Sequence, residues 1–233
     1  MIITFVNNNE ELSKEEFVRK YVKKNELSYR IITGLMFPLA WLLYHPKYYG
    51  VDNIPEGEPV ILACNHRGTP DPAFTIYAYR KRPIRYLAKK SLHDSIFGFV
   101  FRMALTIPVD RSRKAPETML AAEAVLEDNG VVGIYPEGTR NKSEDIVLPF
   151  KFGAVALAKK TGAYLVPSIN VGNYRPFKDK VKTYFGEAYR IAPDADLEKE
   201  NEILRQKVAD LYIRYASDDP KVQRLLEKQK ENR

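Results

Sequence analysis

Seven consecutive residues, Asn65-His66-Arg67-Gly68-Thr69-Pro70-Asp71, hold an imidazole and a carboxylate five positions apart. On a continuous helix that spacing would set them about 140° apart, but Gly68 and Pro70 argue against a helix across the heptad. A turn can instead bring the carboxylate of Asp71 back to the ring of His66. A carboxylate on one imidazole nitrogen fixes the tautomer and makes the other nitrogen more basic, which suits a general base near neutral pH. The heptad contains no Ser or Cys to serve as nucleophile, and Cys64 precedes it in a strand. Such a pair would therefore activate a substrate hydroxyl directly. The same residues equally suit a loop histidine beside a helix-capping aspartate.

Three further polar clusters follow apolar runs. Tyr135-Pro136-Glu137-Gly138-Thr139-Arg140 offers a carboxylate, a glycine that permits close backbone approach, a hydroxyl and a guanidinium suited to gripping phosphate. Asp110 and Arg111 follow Ile107-Pro108-Val109, and Lys89 ends the run from Ile84. Each alone reads equally as a surface turn with a salt bridge. Strand ends of a parallel sheet converge on one edge, so the four clusters together point to a ligand site there.

The elements that must position these residues alternate. Residues 59–64 form a short apolar run of the kind buried on both faces of a sheet. Asp71-Pro72 reads as an N-cap with proline at the first helical position, opening a helix to about residue 80. Strands are expected over 84–88, 105–109, 131–135 and 164–171, with an edge strand over 182–186. Helices are expected over 92–103, 116–128 and 152–160, with a helical tail whose stripe is Leu204, Val208, Leu211, Tyr212 and Tyr215 and a restart at Asp219-Pro220. The fold class is α/β: a mostly parallel or mixed sheet flanked by helices, preceded by a pair of amphipathic or hydrophobic N-terminal helices.

The first of that pair begins at Ser13, with Glu16 at capping-box spacing. It places Phe17, Val18, Tyr21 and Val22 on one face and Lys20, Lys23 and Lys24 on another. The second spans the apolar residues 31–44, which fall short of the roughly 20 a membrane span needs and include Pro38. Basic residues beside an apolar stripe, followed by a Trp/Phe/Leu-rich helix, match a monotopic membrane anchor, and also match helices packed on the chain's own core. No signal-peptide pattern is read at the N-terminus.

Among 233 residues, 45% are hydrophobic and 29% charged, a balance that excludes a disordered or collagen-like chain. The single cysteine forms no internal disulfide, and three scattered histidines do not make a structural zinc site. Formal net charge is +7, and residues 75–114 alone carry ten basic against two acidic side chains. An excess that local suggests an anionic partner. No zinc finger, RNP-type aromatic motif or helix-turn-helix signal supports nucleic acid.

Asn65-His66 with Asp71, Val109-Asp110-Arg111, Tyr135 through Arg140 and Val166-Pro167 stand in the order of the four blocks of the glycerolipid acyltransferase family, which this chain resembles over residues 50–190. Ala88-Lys89-Lys90-Ser91-Leu92 is similar to that family's Ala-Lys-x-x-Leu strand end. Tyr135 replaces the usual Phe, and Ser91 stands where an acid is common. The family's best-known members are 1-acyl-sn-glycerol-3-phosphate acyltransferases. The resemblance implies that His66, held by Asp71, deprotonates the hydroxyl of a lysophospholipid acceptor as it attacks an acyl thioester of coenzyme A or acyl carrier protein. It implies that Arg140 and Arg111 hold the acceptor phosphate with help from Lys89, while Glu137, Gly138 and Thr139 shape the acceptor site. No acyl-enzyme, cofactor or metal is implied. Another lysolipid, such as a lyso-ornithine lipid, is the alternative acceptor. The expected organisation is residues 1–45 as membrane-facing helices and 46–233 as the catalytic α/β domain, on the cytoplasmic face of the cell membrane, peripheral or monotopic.

Overall fold

A computed structural model describes residues 4–7, 10–13, 26–110 and 116–231. Near the N-terminus, β1 (Thr4–Asn7) and β2 (Glu10–Ser13) pair as an antiparallel hairpin. Ser13 thus ends a strand, and the helix expected after it lies outside the described residues. Next comes α1 (Glu26–Tyr44), which runs without a break through Pro38 and is 19 residues long. By length and composition it is the one helix among the described residues apolar enough to cross a membrane.

The rest of the chain alternates. In order follow β3 (Lys47–Tyr49), β4 (Val60–Cys64), α2 (Asp71–Ala78), β5 (Ile84–Lys89), α3 (Lys90–His93), α4 (Gly98–Met103) and β6 (Ile107–Val109). Then come α5 (Pro116–Glu127), β7 (Val131–Ile134), α6 (Gly153–Thr161), β8 (Tyr164–Val171), β9 (Lys182–Phe185), α7 (Leu197–Tyr215) and α8 (Pro220–Glu231). Seven strands make one sheet in the order β3-β9-β8-β4-β7-β5-β6. The run β8-β4-β7-β5-β6 is parallel throughout, and β9 returns antiparallel to β8.

Period-two alternation divides the core. From β4, Ile61 and Ala63 face a cluster with Val125, Leu157, Leu204 and Val208 of α5, α6 and α7. Val60 and Leu62 face the opposite cluster with Tyr29 of α1 and Ile76 and Tyr77 of α2. Every residue of β4 is buried, as its apolar run requires at the centre of a covered parallel sheet. Phe37 of α1 meets Tyr77 edge-on at 5.0 Å, and Tyr44 meets Phe74 at 5.4 Å. The opposite stripe of α1, Leu27, Ile31, Leu35, Leu39 and Leu42, is exposed, Leu35 to 71%.

Three local expectations are corrected. The strand at 182–185 is not an edge, because β3 pairs beyond it with Tyr48 opposite Thr183. The helix expected over 92–103 is two helices, broken by a turn in which Gly98 comes so close to His93 that a Cβ there would lie 2.0 Å from the His93 carbonyl oxygen. Asp71 does not cap its own helix: it is the first residue of α2, and its carboxylate is turned backwards.

Candidate active site

The parallel run places the C-terminal ends of β4, β5, β6, β7 and β8 on one edge, with β7 and β8 as the two neighbours of β4. The chain leaves β4 into the His66 loop, and the carboxylate of Asp71 folds back under it. Asp71 Oδ2 accepts from the backbone N–H of Arg67 and of Gly68, each at 2.8 Å, and lies 2.8 Å from His66 Nδ1. Converging backbone donors of this kind form an anion nest. The five-residue spacing is set by this loop, which wraps one oxygen atom. Its other oxygen, Oδ1, accepts from the Tyr174 hydroxyl at 2.5 Å. Asp71 is fully buried, whereas the His66 side chain keeps 18% of its surface exposed.

With the carboxylate accepting at Nδ1, that nitrogen carries the ring proton and Nε2 keeps its lone pair. The rest of His66 is fixed by the loop after β7. Its N–H donates to Glu137 Oε1 at 2.7 Å, its carbonyl accepts from Asn141 N–H at 2.7 Å, and its ring stacks on Tyr135 with centroids 4.2 Å apart. Glu137 Oε2 accepts from Leu148 N–H at 2.9 Å. Burial raises the Glu137 carboxyl above its ordinary range, and the two backbone donors and His66 partly counter it. Both its oxygens accept from backbone N–H groups, so Glu137 ties the His66 backbone to the loop that follows β7.

Beneath the site lies a buried amide network. Asn65 Oδ1 accepts from Asn170 N–H at 2.8 Å, Asn170 Nδ2 donates to the Asp71 carbonyl at 3.3 Å, and Thr183 Oγ1 donates to Asn170 Oδ1 at 2.7 Å. This ties the ends of β4, β8 and β9 together with satisfied polar groups. The Cys64 thiol beside it is pushed well up by burial and then by the charge of Asp71. Burial does the same to the Tyr174 hydroxyl, again with Asp71 adding to it.

Arg140 is exposed, and its Nη1 reaches Thr69 Oγ1 at 3.3 Å, so the guanidinium lies across the mouth of the His66 loop. Thr139 is exposed beside it, and Gly138, at φ +67°, lies under the Lys151 side chain, where a Cβ would come within 2.7 Å of Lys151 Cε. Lys89 ends β5 on the same edge, two strands from β4 and so about 10 Å away along the sheet. Arg111 lies outside the described residues. Arg67 turns away from the site: it donates to the Gly172 carbonyl at 3.2 Å and to Asp219 Oδ2 at 3.0 Å, clasping the start of α8. Sequence reading missed Tyr174, Asn170 and Lys151. The signal for Tyr174 was its place just beyond the end of β8, after Gly172.

The Acyltransferase family model matches residues 45–170, a span that contains His66, Asp71, Lys89, Glu137, Gly138, Thr139, Arg140 and Asn170, while Gly172, Tyr174, Thr183 and the Asp219 partner of Arg67 lie beyond it. A 1-acyl-sn-glycerol-3-phosphate acyltransferase of Bacillus subtilis (strain 168) is 31% identical over 176 residues, covering 71% of this chain and 87% of that protein. One from Streptococcus pneumoniae is 28% identical over 159 residues, covering 66% of this chain and 58% of its own length. Among solved structures, the 1-acyl-sn-glycerophosphate (LPA) acyltransferase PlsC from Thermotoga maritima superposes with a TM-score of 0.65 at 21% identity, over 84% of this chain and 86% of that one.

Proposed function

The chain belongs to the acyltransferase family, and from that premise we propose that it transfers a fatty acyl group from acyl-CoA or acyl-ACP to the free hydroxyl of 1-acyl-sn-glycerol-3-phosphate, giving phosphatidic acid. The observation that carries the mechanism is the 2.8 Å contact between His66 Nδ1 and a buried Asp71 beside an exposed Arg140. His66 Nε2 takes the acceptor's hydroxyl proton as its oxygen attacks the thioester carbonyl. The tetrahedral intermediate collapses, the C–S bond breaks, and the leaving thiolate takes the proton back from His66. The step balances with the thioester donor alone. General base catalysis contributes typically about 10²–10⁴-fold, and holding both substrates in place supplies much of the remainder.

Arg140 offers a forked guanidinium to the acceptor phosphate, with Lys89 and Lys151 as further cations on the same edge. A lysophospholipid acceptor resides in a bilayer, so the site edge must meet one. The exposed apolar stripe of α1, on a helix whose other side packs on the domain, suits a monotopic attachment at the cytoplasmic leaflet.

The test is acyl transfer to a panel of lysolipids with both donors. His66→Ala should abolish transfer with the fold intact, and activity within tenfold of the parent would remove the base. Arg140→Ala should raise KM for phosphorylated acceptors and leave neutral ones unchanged, whereas an unchanged KM would remove Arg140 from the phosphate site.

A further inference from the structure

Two large apolar side chains stand at a turn corner, where small or polar residues are usual. Gly98 N–H donates to the Ser95 carbonyl at 2.8 Å, closing a turn whose two central residues are Ile96 and Phe97. Ile96 is 88% exposed and Phe97 65%, with Leu92 and Phe99 exposed on either side. The corner is held firmly. Ser95 Oγ donates to the Leu92 carbonyl at 2.7 Å, and Arg102 Nη1 donates to the His93 carbonyl at 2.8 Å.

Its place in the fold gives it meaning. The turn joins α3 to α4, immediately beyond Lys89, and so lies on the sheet edge that carries His66. α4 packs against α1. The C-terminal end of α1 is tied to the segment after β8, where Phe177 N–H donates to the Leu43 carbonyl at 2.7 Å and Phe177 itself is exposed. Exposed Trp41 and Leu42, Phe177, and the Ile96-Phe97 corner therefore rim one edge from three separate segments. Within residues 89–102 stand exposed Lys89, Lys90 and Arg102 against one acid, Asp94, with Asp110 following Val109, the neighbour of Lys89 across the sheet. Apolar tips set among cations match an anionic bilayer, with headgroup phosphates at the lysines and arginine and acyl chains at the rings.

We infer that the 95–98 turn is a second membrane contact, separate from α1, which inserts Ile96 and Phe97 into an anionic lipid surface and seats the His66 edge of the sheet against it. The inference rests on the lipid-acceptor reading above and supplies what one helix cannot: a second point that fixes the domain's tilt on the membrane.

The chain has one tryptophan, Trp41, so Phe97→Trp in a Trp41→Phe background gives a single reporter in the full protein. Vesicles of phosphatidylcholine with phosphatidylglycerol should shift its emission to the blue, and brominated acyl chains should quench it. The pair Ile96→Asp/Phe97→Asp should weaken partition onto these vesicles about 10- to 100-fold with melting temperature unchanged. Vesicles without phosphatidylglycerol should bind the parent more weakly at low salt. Emission at 97 unmoved by brominated vesicles, or partition of the pair variant equal to the parent's, overturns the inference. A lost self-association with vesicle binding intact also overturns it, since it assigns the corner to a second copy of the chain. None of these readouts requires turnover, so failed acyl transfer with intact quenching refutes the catalytic reading alone.

Discussion

Tyr174→Phe removes one hydroxyl and leaves the ring in place. The ring still meets Phe74 at 5.4 Å and still covers Gly68, where a Cβ would come within 2.7 Å of Tyr174 Cδ2. What disappears is the donor to Asp71 Oδ1, on a carboxylate with no exposure to water. Hydrogen bonds to charged groups contribute about 1.5–3 kcal/mol. At about 2–4 °C per kcal/mol for a chain of this size, the melting temperature should fall by about 3–12 °C. Oδ2 keeps its own three donors, so the carboxylate stays near His66 with less rotational restraint. If the same free energy is felt in the transition state, kcat falls on the order of 10- to 100-fold. KM for the acceptor should hold, because Arg140 and Thr69 are untouched. Steady-state kinetics with vesicle-borne lysophosphatidic acid and scanning calorimetry give both quantities. The decisive arm is Asp71→Asn: a residue that acts through Asp71 has little further effect on kcat once Asp71 is changed. Equal kcat losses from Tyr174→Phe in both backgrounds, or a loss that falls on KM, would refute the positioning argument.

Two other outcomes follow from the same geometry. Glu137→Gln keeps one acceptor for two backbone donors, so either His66 N–H or Leu148 N–H faces an amide N–H₂; stability should drop by about 1–3 kcal/mol in urea unfolding and activity should fall with it. Because the folded Glu137 carboxyl is raised above 4.5, its contribution is fully present below that pH and is lost as pH rises through the raised value, and the glutamine variant should lack this slope across an acid-to-neutral series. Cys64 is fully buried with its thiol pushed up, so maleimide labelling of the native protein should be negligible at neutral pH and become complete in denaturant; prompt native labelling would contradict the packing of β4.

The legible parts of this molecule are those decided over short stretches of chain. Val60 to Cys64 reads as a central strand because five successive residues suit burial on both faces, and all five are buried. The return of Asp71 toward His66 is legible because Gly68 and Pro70 leave a turn as the available path. The same Asp-Pro pair also spells a helix cap, and that reading fails because loop N–H groups and Nδ1 of His66 hold the carboxylate instead. Residues 92–103 carry enough apolar side chains to suggest one helix, yet the close approach of Gly98 to His93 breaks it. Lys47-Tyr48-Tyr49 is too short to show a period, so the strand that covers β9 has no signal of its own in the sequence. Tyr174 lies 103 residues from Asp71, and only the adjacency of β8 to β4 brings the two together.

That adjacency explains why so little of the site is free to move. Three strand ends reach the imidazole through different atoms: β4 supplies its backbone, the loop after β7 grips that backbone at both N–H and C=O, and the segment after β8 holds the carboxylate behind Nδ1. A ring fixed at its backbone, its face and one nitrogen has Nε2 left for a substrate. In the proposed reaction the acceptor hydroxyl would therefore come to an imidazole held in place. The exposed cations on this edge are Arg140, Lys151 and Lys89, and under the proposed function their long side chains would follow the acceptor phosphate while the imidazole stays in place. Acceptor choice should then change through those cations with kcat largely kept, whereas changes at Glu137 or Tyr174, whose polar atoms are taken by the His66 backbone, Leu148 N–H and Asp71, should lower kcat for every acceptor alike.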